Sequence, residues 1–239
     1  MTNPTAAILL IGDEILSGRT QDTNGNFLAK ALTARGITLA EIRVIGDETT
    51  LIVTTLNALR AKYDYVFTSG GIGPTHDDIT ADAVAQAFDV PLLTRQDAVE
   101  ALARNYKNGK DDLTPARLRM ARVPEGALLI HNPVSGAPGF SIGNVHVMAG
   151  VPKVFEAMVD GLLPGLALGV PLLAESLRIN LPESQLAEPL AALAAEFTAL
   201  SFGSYPFIRD GRYGAEIVVR GQDAKLIAAA MARLVKIAP

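Results

Sequence analysis

Three apolar runs, each followed by a turn-forming stretch and then an amphipathic one, constrain this chain more than any other feature. Ile8-Leu9-Leu10-Ile11 is continuous and ends at Gly12, the pattern of a strand buried on both faces. Asp22 can cap a helix whose Phe27, Leu28, Ala31 and Leu32 share one face, and Gly36 can terminate it. Ala40, Ile42 and Val44 alternate with polar or mixed neighbours and give a second strand. Thr49 or Thr50 starts a helix with Ile52, Leu56 and Leu59 inward, and Tyr65 to Thr68 is a third strand. Ile79, Ala83, Val84, Ala87 and Phe88 then recur at helical spacing. Alternation of this kind predicts an α/β fold, a mostly parallel sheet with helices on both faces. Ligands of such sheets bind beyond the carboxyl ends of strands. Gly12-Asp13-Glu14 and Gly70-Gly71 both lie at such ends, so the two stretches are expected to meet at one site.

The turn after the third strand reads Thr68-Ser69-Gly70-Gly71-Ile72-Gly73-Pro74-Thr75-His76-Asp77-Asp78-Ile79-Thr80. Gly70, Gly71 and Gly73 let the backbone turn sharply and leave its N–H groups uncovered. The helix start beyond adds free donors and a partial positive charge, which suits a phosphate. Thr75 and Thr80 add hydroxyls. No lysine follows, as a P-loop requires, and His76 stands where a dinucleotide fingerprint has its third glycine. Bare carboxylates repel phosphate, so Asp77 and Asp78 either cap the helix or hold a cation that the phosphate shares. The plainer alternative for the whole loop is a tight turn before a capped helix.

Composition narrows the partners. The 239 residues are 49% hydrophobic, so a substantial core is available, and a net charge of −4 argues against nucleic acid held on a broad basic surface. There is no cysteine, hence no thiolate metal site. The chain opens without a basic-then-apolar leader, which favours the cytoplasm. The longest stretch free of Asp, Glu, Lys and Arg, residues 126–152, is broken by Asn132-Pro133, Ser135-Gly136 and Pro138-Gly139, so no membrane span is expected.

Further on, residues 95–122 read as helical and charged, broken near Asn108-Gly109. Residues 128–130 and 145–148 read as strands, with a loop from Asn132 to Phe140 between them. Pro152 suits the first turn of a helix containing Val154, Phe155 and Met158. Residues 161–171 carry the connection to a small second unit with strands around Leu177-Ile179 and residues 215–219, and with two helices. Pro189 must sit in the first turn of the earlier helix or kink it. The domains expected are 1–168 and 169–239.

Asp13, Glu14, Asp77 and Asp78 are the candidate carboxylates. As helix caps they are worth about 0.3–1 kcal/mol each; as ligands they would hold a divalent metal between carboxylate and phosphate oxygens. His76 can hydrogen-bond a phosphate or act as an acid, against the commoner solvated loop histidine; for His131 and His146 packing is the default. Arg119 and Arg122 read as part of a solvated charged face or as phosphate contacts; Arg119 is the better candidate because it can grip a diphosphate bidentately, and Arg19 is a lesser case. Ser17, Ser69 and Ser135 lack a Gly-x-Ser-x-Gly setting, so a serine nucleophile is not expected.

The glycine loop, together with Gly12-Asp13-Glu14-Ile15-Leu16-Ser17-Gly18, Asp22-Thr23-Asn24, Asn132-Pro133-Val134, Ala137-Pro138-Gly139-Phe140 and Gly150-Val151-Pro152, resembles the MoaB/Mog-type molybdopterin-binding domain. The form is that found at the N-terminus of the competence/damage-inducible CinA type, over roughly residues 6–165. The resemblance implies a three-layer α/β/α domain that binds molybdopterin or an adenine nucleotide, and commonly a homo-oligomer. It implies a metal-dependent pyrophosphatase acting on ADP-ribose-like or FAD-like compounds, with Asp78, Asp13 and Glu14 catalytic. Magnesium, manganese or cobalt is the expected ion, with potassium a further candidate. Gly70, Gly71, Gly73, Thr75, Arg119, Ser135 and Gly139 would meet the ligand. Full-length CinA proteins also carry a nicotinamide mononucleotide deamidase domain, which is not carried over to this length of chain. Ile72 replaces the threonine of the Mog-type Gly-Gly-Thr-Gly loop, and Val154 replaces an acid common after Gly-Val-Pro. The alternative function is molybdopterin binding in cofactor biosynthesis, or a binding subunit without catalysis.

Overall fold

The computed structural model describes residues 3–209 and 211–237. The chain divides into two compact units, Met1–Gly169 and Val170–Pro239. Among the described residues no helix is long and apolar enough to cross a membrane.

The first unit begins with β1 (Thr5–Ile11), buried from Ala6 onward, and a single helical turn, α1 (Asp13–Leu16). Helix α2 (Asn24–Thr33) follows; Asp22 accepts hydrogen bonds from the Asn24 and Gly25 amides, which satisfies the free donors of its first turn. Next come β2 (Thr38–Ile45), α3 (Thr49–Lys62), β3 (Tyr65–Ser69) and α4 (Thr80–Phe88). A short pair, β4 (Leu92–Thr94) and β5 (Arg122–Pro124), brackets α5 (Gln96–Ala103) and α6 (Pro115–Leu118). Neither of these three-residue strands, which flank the stretch read as helical, was expected from the sequence. The unit closes with β6 (Leu128–Ile130), β7 (Gly139–Ile142), β8 (Val145–Met148) and α7 (Pro152–Leu162).

The main sheet runs β2-β1-β3-β8-β7-β6. Its first four strands are parallel, and β7 runs against both neighbours. Two apolar layers sandwich it. One gathers Ile52, Leu56 and Leu59 of α3 with Ala83, Val84 and Ala87 of α4. The other gathers Leu28 and Leu32 of α2 with Phe155, Met158 and Val159 of α7. The outcome is the expected three-layer α/β/α architecture. The sheet is mixed because β7 begins at Gly139, inside the stretch read as loop. At the β2 edge, Ile42 and Val44 lie half-exposed, so their alternation marks a strand but not a covered face.

The second unit contains β9 (Leu173–Ile179), α8 (Glu183–Glu196), β10 (Ser201–Arg209), β11 (Arg212–Gly221) and α9 (Ala224–Val235). Its antiparallel sheet, ordered β10-β11-β9, packs Ile179, Ala215, Ile217 and Val219 against Leu186, Leu193, Ile227 and Leu234 of the helices. Pro189 lies in the interior of α8 rather than its first turn, so the Gln185 carbonyl loses its helical donor.

Candidate functional site

The carboxyl ends of the four parallel strands converge. β1 delivers Gly12 and Asp13, β2 delivers Gly46 and Asp47, β3 delivers Gly70 and Gly71, and β8 delivers Ala149 and Gly150. Between them opens a cleft of about 720 Å³. Its walls include Glu14, Asp47, Gly70, Gly71, Gly73, Asp77, Asp78, Met120, Ser135 and Val154. The volume lies within the roughly 300–1,000 Å³ usual for small-molecule sites.

The glycine loop is built by close approach. A Cβ on Gly70 would stand 2.1 Å from the Ile11 carbonyl oxygen, and one on Gly71 would stand 2.1 Å from Thr80 Oγ1. Gly71 also has φ 68°, which glycine adopts without cost. Thr80 is buried; its hydroxyl donates to the Gly70 carbonyl at 3.0 Å and its amide donates to the Gly71 carbonyl at 3.0 Å. These bonds tie the loop to α4. The amides of Gly71, Ile72 and Gly73 donate to no acceptor among the described residues. Successive free backbone N–H groups in a turn can make a concavity suited to an anion.

Asp77 and Asp78 play other parts than capping. Helix α4 starts at Thr80, later than the apolar pattern placed it, and its N-cap residue Ile79 makes no side-chain cap. Asp78 turns back into the loop, where Oδ2 accepts from the Thr75 amide at 2.8 Å and from the Thr75 hydroxyl. Asp77 lines the cleft with its side chain 64% exposed, and His76 Nδ1 is 3.8 Å away. The His76 side chain is almost wholly exposed.

On the opposite wall, glycines make room for carboxylates. The Glu14 carboxyl folds back over Gly12, and Asp13 Oδ1 lies over Gly46, each about where a Cβ would stand. Asp47 accepts from the Asp13 amide at 3.1 Å. Burial pushes the Asp47 carboxyl above its ordinary range, and the neighbouring charges of Asp13, Glu14 and Asp77 push the same way, against that hydrogen bond. Asp47 was absent from the candidates read off the sequence. Its signal was available: Gly46-Asp47 follows β2 as Gly12-Asp13 follows β1.

The third wall is the loop after β6. Asn132, 2% exposed, organises it: Nδ2 donates to Ser135 Oγ at 2.6 Å and to the Ala137 carbonyl at 2.8 Å, while Oδ1 accepts from the Val134 and Ser135 amides. Ser135 thereby faces the cleft. Gly139 does not; it is buried in β7, where a Cβ would meet the Val147 carbonyl at 2.2 Å. Asn24 joins two strand ends, its Nδ2 donating to Ser69 Oγ and to the Gly150 carbonyl, both at 2.8 Å. Arg119 lies behind the glycine loop, in a small hollow shared with Gly71, Gly73 and Asp78, and its Nη2 donates to the Asp78 carbonyl at 3.3 Å. Its Nε is buried without a partner. Arg122 is not solvated: it pairs bidentately with Asp82, at 2.9 and 2.8 Å, across β5 and α4. The site thus gathers Glu14, Gly70, Gly71, Gly73, Asp77, Asp78 and Ser135, with Arg119 adjoining, Asp13 behind Asp47, Thr75 outside as a support of Asp78, and Gly139 in the sheet.

Among the described residues no three His, Cys, Asp or Glu side chains stand together so as to hold a metal ion. Glu14, Asp47, Asp77 and Asp78 do line one cleft, and Mg²⁺ is commonly held by one or two carboxylates plus a ligand's phosphates. They do not fit a self-contained protein cage.

A three-layer α/β/α domain with its ligand cleft beyond the carboxyl ends of parallel strands defines the class of protein. Residues 7–168 match the family model described as a probable molybdopterin binding domain, and the chain belongs to that family. Residues 171–239 match the model of the FAD synthase middle domain. A protein of Metallosphaera sedula is 37% identical over 164 residues, covering 66% of this chain and 62% of that one. A probable FAD synthase of Caenorhabditis elegans is 32% identical over 255 residues, covering 96% of this chain and 49% of its own length. The crystal structure of CinA from Thermoplasma acidophilum, a protein described as of unknown function, is 34% identical with a TM-score of 0.64, over 69% of this chain and 99% of that one. The chain therefore spans about half the length of the nematode relative.

Proposed function

We propose that the cleft binds a phosphorylated small molecule with a planar ring system, an adenine nucleotide or a pterin, with its phosphate on the amides of Gly71, Ile72 and Gly73. The observation that carries this is the run of three unpartnered N–H groups at the mouth of a cleft of about 720 Å³. Arg119 adjoins the same loop and supplies positive charge. The acidic wall of Glu14 and Asp47 faces the loop and would repel a phosphate placed there, so it directs the anionic end to the amides. Family membership and the similarity to a probable FAD synthase support a nucleotide or pterin as the ligand.

Calorimetry on the whole chain with AMP, ADP-ribose, FAD and molybdopterin, beside adenosine as the unphosphorylated control, tests the proposal. Phosphorylated ligands are expected to bind and adenosine to bind at least about tenfold more weakly, which corresponds to ~1.4 kcal/mol. Equal binding of adenosine and AMP would overturn the role of the loop. Tight molybdopterin with no adenylate binding would select the pterin.

A second reading is hydrolysis of a diphosphate bond, favoured by the carboxylates facing the loop. Glu14 and Asp77, which line the cleft, would hold a divalent ion together with the substrate's phosphates. When bound, that ion would neutralise the diphosphate and activate a water. The loop amides would stabilise negative charge developing on the leaving phosphate. Turnover of ADP-ribose and FAD with Mg²⁺, Mn²⁺ or Co²⁺, with and without potassium, decides it; no turnover under any of these conditions leaves binding alone.

A further inference from the structure

The second unit has a face that none of the preceding chemistry uses. Its two helices cover one side of the β10-β11-β9 sheet. The register puts Ser176 and Arg178 of β9, Gly214, Glu216 and Arg220 of β11, and Tyr205 and Phe207 of β10 on the other side. Tyr205, Glu216 and Arg178 form one row across the sheet. In the next row Phe207 stands opposite Gly214. A Cβ on Gly214 would lie 2.4 Å from Phe207 Cζ, so this glycine lets the Phe207 ring lie over the central strand. On the far side of that row, the Tyr205 hydroxyl accepts from Arg220 Nη2 at 2.9 Å, which holds the ring toward Arg220. A hollow of about 490 Å³ is lined by Arg178, Asn180, Tyr205, Phe207, Arg209 and Glu216.

Its chemistry is specific. Phe207 offers an aromatic surface backed by a glycine. Glu216 is an acceptor, already met by Ser176 Oγ at 3.0 Å and by Arg178 at 3.6 Å, and it retains lone pairs for a ring amine. The Arg178 side chain is 65% exposed and its contact with Glu216 is long, so it can turn to an anion. Arg209 lines the same hollow. Arg178, Arg209, Arg212 and Arg220 lie on this face, and Glu216 is the one acid there among the described residues.

We propose that this hollow is a second binding site, for a mononucleotide with an amino-bearing base: the base stacks on Phe207, Glu216 accepts from its amine, and Arg178 meets the phosphate. A single nucleotide suits it better than a polynucleotide strand. The hollow is local, and the whole chain carries a net charge of −4. The site is independent of the cleft in the first unit.

The test is calorimetry of the whole chain with AMP, for the parent, Arg178→Glu and Phe207→Leu. Arg178 is exposed, so its replacement leaves the fold intact if Phe207→Leu does not. The expected result is an AMP-binding event that Arg178→Glu weakens at least about tenfold. Where the first-unit cleft also binds AMP, the parent shows two events and the variant keeps one. Where the cleft does not, the parent shows one event and the variant loses it. AMP binding unaltered by Arg178→Glu, or no AMP binding at all, overturns the site. A short oligoadenylate that binds through Arg178 at least about tenfold more tightly than AMP overturns the mononucleotide assignment in favour of a nucleic-acid strand.

Discussion

At the scale of single residues, two neighbouring aspartates have unlike work. Asp78 holds the Thr75 amide and hydroxyl and so shapes the turn that presents the Gly71–Gly73 amides. Charge-assisted bonds of this kind are stronger than neutral ones. Asp78→Ala is expected to weaken binding of the phosphorylated ligand at least about tenfold, ~1.4 kcal/mol, while Asp77→Ala changes it less than about twofold. Dissociation constants and melting temperatures of both variants check this; equal losses would show that both act only through charge. His146 carries a prediction about pH. It is buried in β8 with Ser141 Oγ 2.8 Å from Nδ1 and Nε2 unpartnered, and burial lowers its pKa from 6.5 to about 4. The folded protein therefore takes up this proton only at lower pH than the unfolded chain does. The residue costs no stability above pH 6.5, and a penalty grows as pH falls from 6.5 to about 4. The full penalty is on the order of 3 kcal/mol. His146→Gln is expected to flatten that part of the urea-unfolding profile. An unchanged slope would place the acid sensitivity in the carboxylates.

At the scale of elements, the sequence carried most of the long strands and helices but not β10, nine residues whose alternation is interrupted by Gly203 and Pro206. It also missed β4 and β5, three-residue strands without the continuous apolar run that marks β6. It placed the start of α4 too early because Ile79 is apolar, whereas the structure uses Thr80, whose hydroxyl and amide both bond the glycine loop. Gly70 and Gly71 were readable as a sharp turn because glycine there is a backbone requirement. Asp47 was not, because its part depends on a strand end far away in sequence. Asn24 is a similar case. It ties the ends of β3 and β8 through Ser69 and Gly150, so the cleft wall depends on a helix it does not itself line. Asn24→Ala leaves those partners unsatisfied and is expected to cost about 1–3 kcal/mol, with weaker ligand binding as well. Urea unfolding with calorimetry measures both, and a stability loss with unaltered affinity would confine Asn24 to the fold.

At the scale of the whole molecule, one cleft lies where four parallel strands end, and its shape follows from topology before any side chain is chosen. Side chains then line it with carboxylates, Glu14 and Asp47 on one wall and Asp77 and Asp78 beside the loop amides. The second unit has its own core and a separate sheet face, so the two proposed sites are separable by mutation. The central claim is that a phosphate sits on the free amides of the glycine loop. Two-dimensional ¹⁵N–¹H spectra of the intact chain, recorded as AMP is added, address those amides one by one. The Gly71, Ile72 and Gly73 resonances are expected to move among the most and to saturate together, and adenosine to leave them in place. Saturable shifts at other residues, with Gly71, Ile72 and Gly73 unmoved, would contradict that claim.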